Sequence, residues 1–147
     1  MDIKHIQEIL AEDVNSFGCA IWGVEFFGRK SNQTLRVYID NEKGITLQDC
    51  EMVSKHIINV LDADSDFSKK YLLEVSSPGL ERKFFYIDQY YQYLNQYFKI
   101  KYLDKKSKKK TIKGSLKSVK DVCLYFQSDH EVLEIPFTSI IQANLIM

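Results

Sequence analysis

The first part of the chain alternates between helical and extended patterns of apolar residues. Residues 3–17 place apolar side chains three or four positions apart, which predicts an amphipathic helix that Gly18 ends. Residues 19–27 and 34–40 are rich in β-branched and aromatic side chains and predict two strands. The polar residues 28–33 predict a turn between them, so the two strands should form a hairpin.

A second helix is expected after the polar loop at residues 41–44. Thr46 and Asp49 have the spacing of a capping box, in which each side chain bonds the backbone N–H group of the other residue. The apolar face of this helix should consist of Leu47, Cys50, Val53, Ile57 and Leu61. A strand that begins at Leu72 completes the first half, which we predict to be two helices on one face of a three-stranded sheet.

After residue 83 the pattern changes to short extended segments. A short helix is predicted over residues 87–94. The β-prone segments that follow cover residues 97–103, 111–119, 122–126, 132–136 and 140–146. Strands of this length and spacing predict a small β-barrel. Two of the connections are also visible in the sequence: Lys120 and Asp121 should form a two-residue turn, and residues 128–131 a longer loop.

Charge divides the chain at nearly the same place. The formal net charge is zero, but residues 1–82 contain 9 Lys/Arg and 14 Asp/Glu, while residues 83–147 contain 11 Lys and 6 Asp/Glu. Such asymmetry between halves indicates separate partner surfaces. We therefore predict an α+β protein with an N-terminal domain at residues 1–83 and a C-terminal domain at residues 84–147.

Composition places the chain among globular proteins, since 45% of its residues are hydrophobic and 27% are charged. No run of about 18 apolar residues is present, and charged residues occur early in the N-terminal segment, so we expect neither a membrane span nor a secretory signal. The cysteines, Cys19, Cys50 and Cys123, are far apart and form no Cys-x-x-Cys pair. We expect buried, reduced thiols in a cytoplasmic protein.

The strand at residues 72–76 ends abruptly at Pro78 and Gly79. Proline presets the second position of a type II turn, and glycine supplies the positive φ that the third position needs. Ser77 precedes proline and is therefore held in the extended region. We expect Ser76, Ser77, Pro78 and Gly79 to form a structural turn.

The segment around this turn resembles a known family. Residues 73–82 resemble the signature segment of the RimP family, bacterial factors for maturation of the small ribosomal subunit, usually written Leu-Glu-Val-Ser-Ser-Pro-Gly-Leu-Asp-Arg-Pro. The ten residues match in order except that Glu81 replaces aspartate. Residues 35–40 and 44–50 also agree with the family in order, and so do four residues of the tail, Ile141, Ala143, Asn144 and Leu145. The resemblance therefore covers nearly the whole chain.

There are three departures from the usual family pattern. Lys83 stands where a second proline is usual, so the link to the second half should be less rigid here. Asn95 stands where glycine is common, and Gln142 where lysine is common.

The resemblance implies both a fold and a function. The second half should be an SH3-like or Sm-like barrel, in agreement with the strand count. The protein should be a non-enzymatic assembly factor that binds the immature small ribosomal subunit through ribosomal RNA and at least one ribosomal protein. We expect it to act as a monomer, without a cofactor and away from membranes.

The residues themselves offer no complete site for catalysis. Ser76 and Ser77 are possible nucleophiles, but no motif supplies the base that a nucleophile needs. His5, His56 and His130 are isolated in the sequence, and the glycine-rich loops that cradle phosphates are absent. We therefore expect no catalytic, cofactor-binding or metal-binding residues.

Recognition of RNA is the remaining possibility, and it centres on basic residues. Five lysines lie at a predicted hairpin tip: Lys105, Lys106, Lys108, Lys109 and Lys110. They are suited to phosphate contact, although a lysine-rich hairpin also keeps a sheet edge soluble. Arg82 and Lys83 form a second basic point at the join between the halves. Tyr90, Tyr91, Tyr93 and Tyr97 offer rings for base stacking, but we expect most of them to pack between the halves.

Two other functions stay open. A general RNA-binding adaptor with an Sm-like barrel is the alternative, and a hydrolase with an unrecognised site is a more distant one. Ring-forming Sm-like proteins need a strand edge that pairs between copies, so an oligomeric mass favours the adaptor and a monomer favours the assembly factor.

Overall fold

The computed structural model describes residues 3–29, 31–63 and 71–147. The chain divides into two compact units, Met1–Pro78 and Gly79–Met147. The sequence predicted a domain boundary after residue 83, a few residues beyond Pro78. That boundary stays a prediction.

The first unit combines two helices with a three-stranded sheet. Its elements are α1 (Ile3–Ser16), β1 (Ala20–Arg29), β2 (Asn32–Asp40), α2 (Leu47–Ala63) and β3 (Tyr71–Ser76). The sheet has the order β1-β2-β3, with β1 antiparallel to β2 and β3 parallel to β2. Parallel neighbours need a crossover connection, and α2 lies in it.

The core of the first unit follows the two periodicities predicted from the sequence. Leu35, Val37 and Ile39 of β2 are fully buried, as alternation requires. The helices contribute side chains at helical spacing: Ile6, Leu10, Val14, Val53, Ile57 and Leu61. Both helices and one face of the sheet therefore share one apolar core.

The hairpin between β1 and β2 is tighter than the sequence predicted. Residues 28–33 were expected to be a turn, but Gly28 and Arg29 belong to β1 and Asn32 begins β2, with Arg29 paired to Asn32. Gly28 has a φ of 100°, and a Cβ there would lie 2.6 Å from the backbone oxygen of Asn32. Because glycine has no side chain, the two backbones can approach closely here, and the strand pairing continues to the residues next to the turn.

Helix α2 begins with the predicted capping box. The Thr46 N–H donates to the Asp49 carboxylate at 2.9 Å, and the Asp49 N–H donates to the Thr46 hydroxyl at 3.1 Å. The prediction for Leu47 is wrong, since this residue is 86% exposed. Helical side chains tilt toward the N-terminus, so a side chain in the first turn reaches beyond the packed part of the helix.

No helix in the described ranges has the length and apolar character needed to span a membrane.

The second unit is built on one five-stranded antiparallel sheet. Its strands are β4 (Tyr97–Leu103), β5 (Lys109–Lys120), β6 (Cys123–Gln127), β7 (Val132–Pro136) and β8 (Ile140–Leu145). Their order is β7-β6-β5-β4-β8, so the last strand of the chain returns beside the first strand of the unit. The α+β class predicted from the sequence is confirmed, and the half predicted to be a small barrel contains a five-stranded antiparallel sheet.

Short 3-10 helices flank these strands. The helix predicted over residues 87–94 is a 3-10 helix at Ile87–Tyr93, and a second one, Phe137–Ser139, joins β7 to β8. Asn95, which replaces a common glycine of the family, has a φ of 69°. Asparagine is among the few non-glycine residues that tolerate this region.

One connection differs from its prediction by a single residue. Lys120 is the last residue of β5 and pairs with Cys123, so the two-residue turn is formed by Asp121 and Val122. Asp121 has a φ of 56°, a conformation that short polar side chains tolerate in turns. The longer loop at residues 128–131 lies where it was predicted, between β6 and β7.

Candidate functional site

The signature turn contains the last residues of the first unit and the first residue of the second. Ser76 ends β3 and pairs with Tyr38 of β2, and Ser77 is exposed. Pro78 is the last residue of the first unit, and Gly79, the first residue of the second, has a φ of 78°. A Cβ at Gly79 would meet no other atom within 4 Å. The requirement for glycine at this position is therefore one of backbone conformation rather than of space.

Residues 81–84 run beside β8 and are bonded to it. The backbone oxygen of Arg82 accepts a hydrogen bond from the Leu145 N–H at 3.0 Å, and the Phe84 N–H donates to Ala143 at 2.9 Å. Lys83 forms an isolated antiparallel bridge with Asn144. Backbone bonds thus fix the positions of Arg82 and Lys83 relative to β8.

Both basic side chains of this segment lie over aromatic rings. The guanidinium carbon of Arg82 is 5.7 Å from the ring centre of Tyr93, and the Nζ of Lys83 is 5.6 Å from that of Phe85. Each cation is half-buried. These distances are within the range of a cation–π interaction, which attracts each cation to the face of its ring.

The signature segment contains two acidic residues, Glu74 and Glu81. Glu74 belongs to a cluster of charged and polar side chains on the sheet of the first unit. Its carboxylate is 2.8 Å from Arg36 on the neighbouring strand, and Arg36 also donates to the Tyr38 hydroxyl at 3.2 Å. The Tyr38 hydroxyl in turn donates to Glu25 at 2.9 Å. This network joins β1, β2 and β3, so Glu74 has a role in the sheet of the first unit.

The lysine-rich segment, residues 105–110, occupies the connection of β4 and β5 and the start of β5. All five of its lysines are exposed. Asp104 organises the loop: its carboxylate accepts hydrogen bonds from the N–H groups of Lys106 at 2.8 Å and Lys108 at 2.9 Å. The Lys108 N–H, followed by that of Lys106 and the nearby Lys110, lowers the pKa of Asp104.

Only Lys110 of this segment is held by an acid among the described residues, at 3.6 Å from Asp104. Of the remaining four lysines, three lie on a loop whose backbone is fixed at both ends, and Lys109 is the first residue of β5. The geometry is suited to contact with a polyanion.

Three further lysines that the sequence did not bring together lie on the outward surface of β4 and β5. Lys99 and Lys101 alternate with the buried Phe98 and Ile100, and Lys113 of β5 pairs directly with Lys99. We call the surface that Lys99, Lys101 and Lys113 form with the outward residues of β8 the lysine face. The alternation of residues along β4 is enough to predict that Lys99 and Lys101 point outward. Their neighbours on β5 and β8 are known only from the strand register.

On β8 the lysine face continues with amides. Asn144 pairs with Lys99 and Gln142 with Lys101, and the two amides are joined by a hydrogen bond of 2.9 Å. A shallow cavity of about 230 Å³ lies here, lined by Glu81, Lys99, Lys101, Gln142, Asn144, Leu145 and Ile146. The lysine face therefore carries amide hydrogen-bond donors beside its cations, with Leu145 and Ile146 as apolar residues of the cavity lining.

The structure connects the basic groups that the sequence suggested separately. Lys83 is bridged to Asn144, Asn144 is paired with Lys99, and Lys99 is paired with Lys113. At the other end of β4, Leu103 pairs with Lys109 of the lysine-rich segment. Lys83, the lysine face and the lysine-rich segment are consequently parts of one surface of the second unit.

Most acidic residues of the second unit lie elsewhere. Asp121 is in the turn between β5 and β6, Asp129 and Glu131 are in the loop between β6 and β7, and Glu134 is on β7. Charge is thus separated along the sheet, with these acids on β7 and in the connections on either side of β6, and with lysines on β4 and β5.

The tyrosines divide between core and surface. Tyr90 is 1% exposed and packs on Phe84 and Phe98, so it lies in the core of the second unit, where burial raises its pKa. Tyr91 and Tyr97 are 51% and 56% exposed. Tyr97 follows the same outward alternation as Lys99 and therefore lies on the side of the sheet that carries the lysine face.

The two units together define a two-part α+β protein with a polar, basic surface on its second part. A family model described as the RimP N-terminal domain matches residues 9–81. The match covers nearly all of the first unit and all of the signature segment except its last residue, Arg82. The chain belongs to the RimP family of ribosome maturation factors.

Proposed function

We propose that this protein is an assembly factor that binds the immature small (30S) ribosomal subunit and assists its late maturation. The observation that carries this proposal is the match of residues 9–81 to the RimP N-terminal domain. The subunit would be contacted through ribosomal RNA and at least one ribosomal protein. The protein would work in the cytoplasm, where ribosomes are assembled, as a monomer and without a cofactor.

The proposed mechanism uses binding energy rather than bond chemistry. A factor that binds one conformation of the immature subunit more tightly than another shifts the population toward it by its difference in affinity. Separated charge supports contacts of two kinds: residues 1–82 carry 14 Asp/Glu against 9 Lys/Arg, and the second unit has a basic surface. Complementary charge favours a basic protein as the partner of residues 1–82 and RNA as the partner of the basic surface on the second unit.

The RNA contacts we propose include Arg82 and Lys83 and the five lysines of the lysine-rich segment. Their exposure or half-exposure and their arrangement on one unit support this assignment. Arg82 is suited to a two-point grip on phosphate, whereas the lysines act as point charges.

Sedimentation of a cell lysate tests the proposed function. The protein should travel with free small subunits and be absent from joined ribosomes, since a maturation factor must leave before the subunits join. Co-migration with joined ribosomes, or with no ribosomal fraction, would contradict the proposal.

A general RNA-binding adaptor is the alternative, and one structural observation keeps it in view. Strand β7 lies at one end of the five-stranded sheet, where a second copy would have to pair to form a ring, whereas β8 at the other end is bonded to residues 82–84. The mass of the purified protein in solution separates the two functions. A monomer is expected for the assembly factor, and a ring of several copies for the adaptor.

A further inference from the structure

The lysine face is built with like charges side by side. Lys99 and Lys113 are direct partners in the antiparallel register of β4 and β5, and both are exposed. Directly opposed side chains of such a pair lie about 4.5–5.5 Å apart at Cβ, and like charges there destabilise a sheet. Lys101 lies two residues along the same strand, roughly 6.8 Å away.

Intramolecular ion pairs do not relieve this repulsion. Within the described ranges, Lys99, Lys101 and Lys113 form no ion pair, in contrast to Lys110 with Asp104 and Arg36 with Glu74. Glu81 lines the cavity beside Lys99 and Lys101 without reaching ion-pair distance in the described structure. Apart from the pair of Lys99 and Lys113, the cross-strand neighbours on this face are amides and a hydroxyl group, from Asn144, Gln142 and Thr111.

Such a face is arranged for an external anion with repeated charges. Lysines are flexible point charges that each follow a phosphate without demanding the fixed geometry of an arginine fork. Amide side chains donate hydrogen bonds to phosphate and sugar oxygens, and an exposed ring such as Tyr97 stacks on bases. An acidic polypeptide would pair with the lysines and amides but would offer no base to stack on Tyr97.

We propose that the lysine face binds the phosphate backbone of RNA, with Lys99, Lys101 and Lys113 as the phosphate contacts. Lys83 extends the contact on the side of β8, and the lysine-rich segment extends it past the end of β4. The inference deepens the proposed function. It rests on that function for one point, that the RNA is ribosomal RNA.

A pair of matched double variants tests the lysine face. Lys99→Gln with Lys113→Gln removes two charges from the face, and Lys43→Gln with Lys55→Gln, the control, removes two exposed charges from the first unit. Binding of a single-stranded RNA oligonucleotide and of purified small subunits is measured at several salt concentrations. Each lost phosphate contact lowers the slope of log affinity against log salt by roughly 0.7–0.9.

The face variant should therefore lose about 1.4–1.8 units of slope, while the control variant keeps the slope of the wild type. The melting temperature of the face variant should be equal to or above that of the wild type, because the like-charge pair of Lys99 and Lys113 has been removed. Equal slopes for the face variant and the wild type would overturn the proposal, as would an equal loss in the control variant. So would binding of polyglutamate with the affinity and salt slope found for RNA.

The outcomes also separate this inference from the proposed function. If the wild type fails to bind small subunits but the slope on RNA still falls only in the face variant, the lysine face stands and the proposed function fails. If all variants bind small subunits with one unchanged slope, the proposed function stands and the lysine face fails.

Discussion

At the scale of single residues, Gly79 illustrates a position fixed by its backbone alone. Its φ of 78° is in the left-handed region, and no neighbour would clash with a Cβ there. Gly79→Val places a β-branched side chain at positive φ and should reduce the free energy of unfolding by about 1–3 kcal/mol. Thermal unfolding, followed by circular dichroism, measures this loss.

Gly79→Asn is the matched control for this prediction. Asparagine also adds a side chain but tolerates positive φ, so the loss should be clearly smaller than for valine. Equal melting temperatures for Gly79→Val and the wild type would show that the turn does not require a left-handed residue.

Arg82 provides a test of side-chain chemistry at a position whose backbone is fixed. Its main-chain oxygen bonds Leu145, and its guanidinium carbon lies 5.7 Å from the Tyr93 ring centre. Arg82→Lys keeps the charge and the backbone bond, so unfolding should change by less than about 0.5 kcal/mol. Affinity for small subunits should fall on the order of tenfold, or about 1.4 kcal/mol, because lysine lacks the two-point grip.

Arg29→Lys, an exposed arginine at the end of β1, is the control and should leave affinity unchanged. Loss of stability in Arg82→Lys without loss of binding would assign Arg82 to the fold.

At the scale of elements, the hairpin of β4 and β5 depends on Asp104. Its carboxylate accepts hydrogen bonds from the N–H groups of Lys106 and Lys108. Asp104→Ala removes the acceptor, whereas Asp104→Asn keeps an oxygen in the same place, and both remove the same charge. Amide hydrogen exchange at residues 106 and 108 should be severalfold faster in the alanine variant than in the asparagine variant. Equal rates in both would mean that the loop holds its conformation without this side chain.

The pH dependence of this loop has a definite sign. The N–H of Lys108, and then that of Lys106, hold the pKa of Asp104 below its ordinary value of 3.8. A lowered carboxyl pKa stabilises the folded loop above the ordinary value, and this contribution disappears as the pH falls through the lowered one. The amide resonances of residues 106 and 108 should consequently titrate below pH 3.8. Titration above that value would contradict the assigned hydrogen bonds.

Elements were predictable where the signal is local. Helix α2, with its capping box, and strand β4 follow from spacing along the chain itself. The hairpin at Gly28 and the turn at Asp121 were misplaced because strand pairing, which the sequence does not display, decides where each strand stops. Leu47 was misassigned because periodicity defines a face but not how far the packing partner extends along it.

At the scale of the whole molecule, the candidate site was predictable only in part. The lysine-rich segment is visible because its charges are contiguous in sequence. Lys99 and Lys113, fourteen positions apart in the chain, become neighbours only through the register of β4 and β5. Lys83 joins them through Asn144, which is near the end of the chain. Non-local pairing therefore hid the surface that connects the predicted residues.

The lysine-rich segment gives a quantitative prediction at this scale. If three of its five lysines engage phosphates at once, replacing all five with glutamine should reduce the salt slope for small-subunit binding by about 2–3 units. The melting temperature should not fall, since exposed lysines contribute little to stability. An unchanged slope would show that the segment serves only to keep the hairpin solvated, and the RNA contact would then depend on the lysine face and Arg82.

The central claim is that the protein recognises a small subunit that is still immature. The most direct test is the equilibrium affinity of the purified, fluorescently labelled chain for immature small subunits, mature small subunits and joined ribosomes. A factor that assists maturation must bind the earlier state more tightly, because only a difference in affinity shifts a population. We predict at least roughly tenfold tighter binding to immature than to mature small subunits, about 1.4 kcal/mol, and still weaker binding to joined ribosomes. Equal affinity for all three particles would contradict the account.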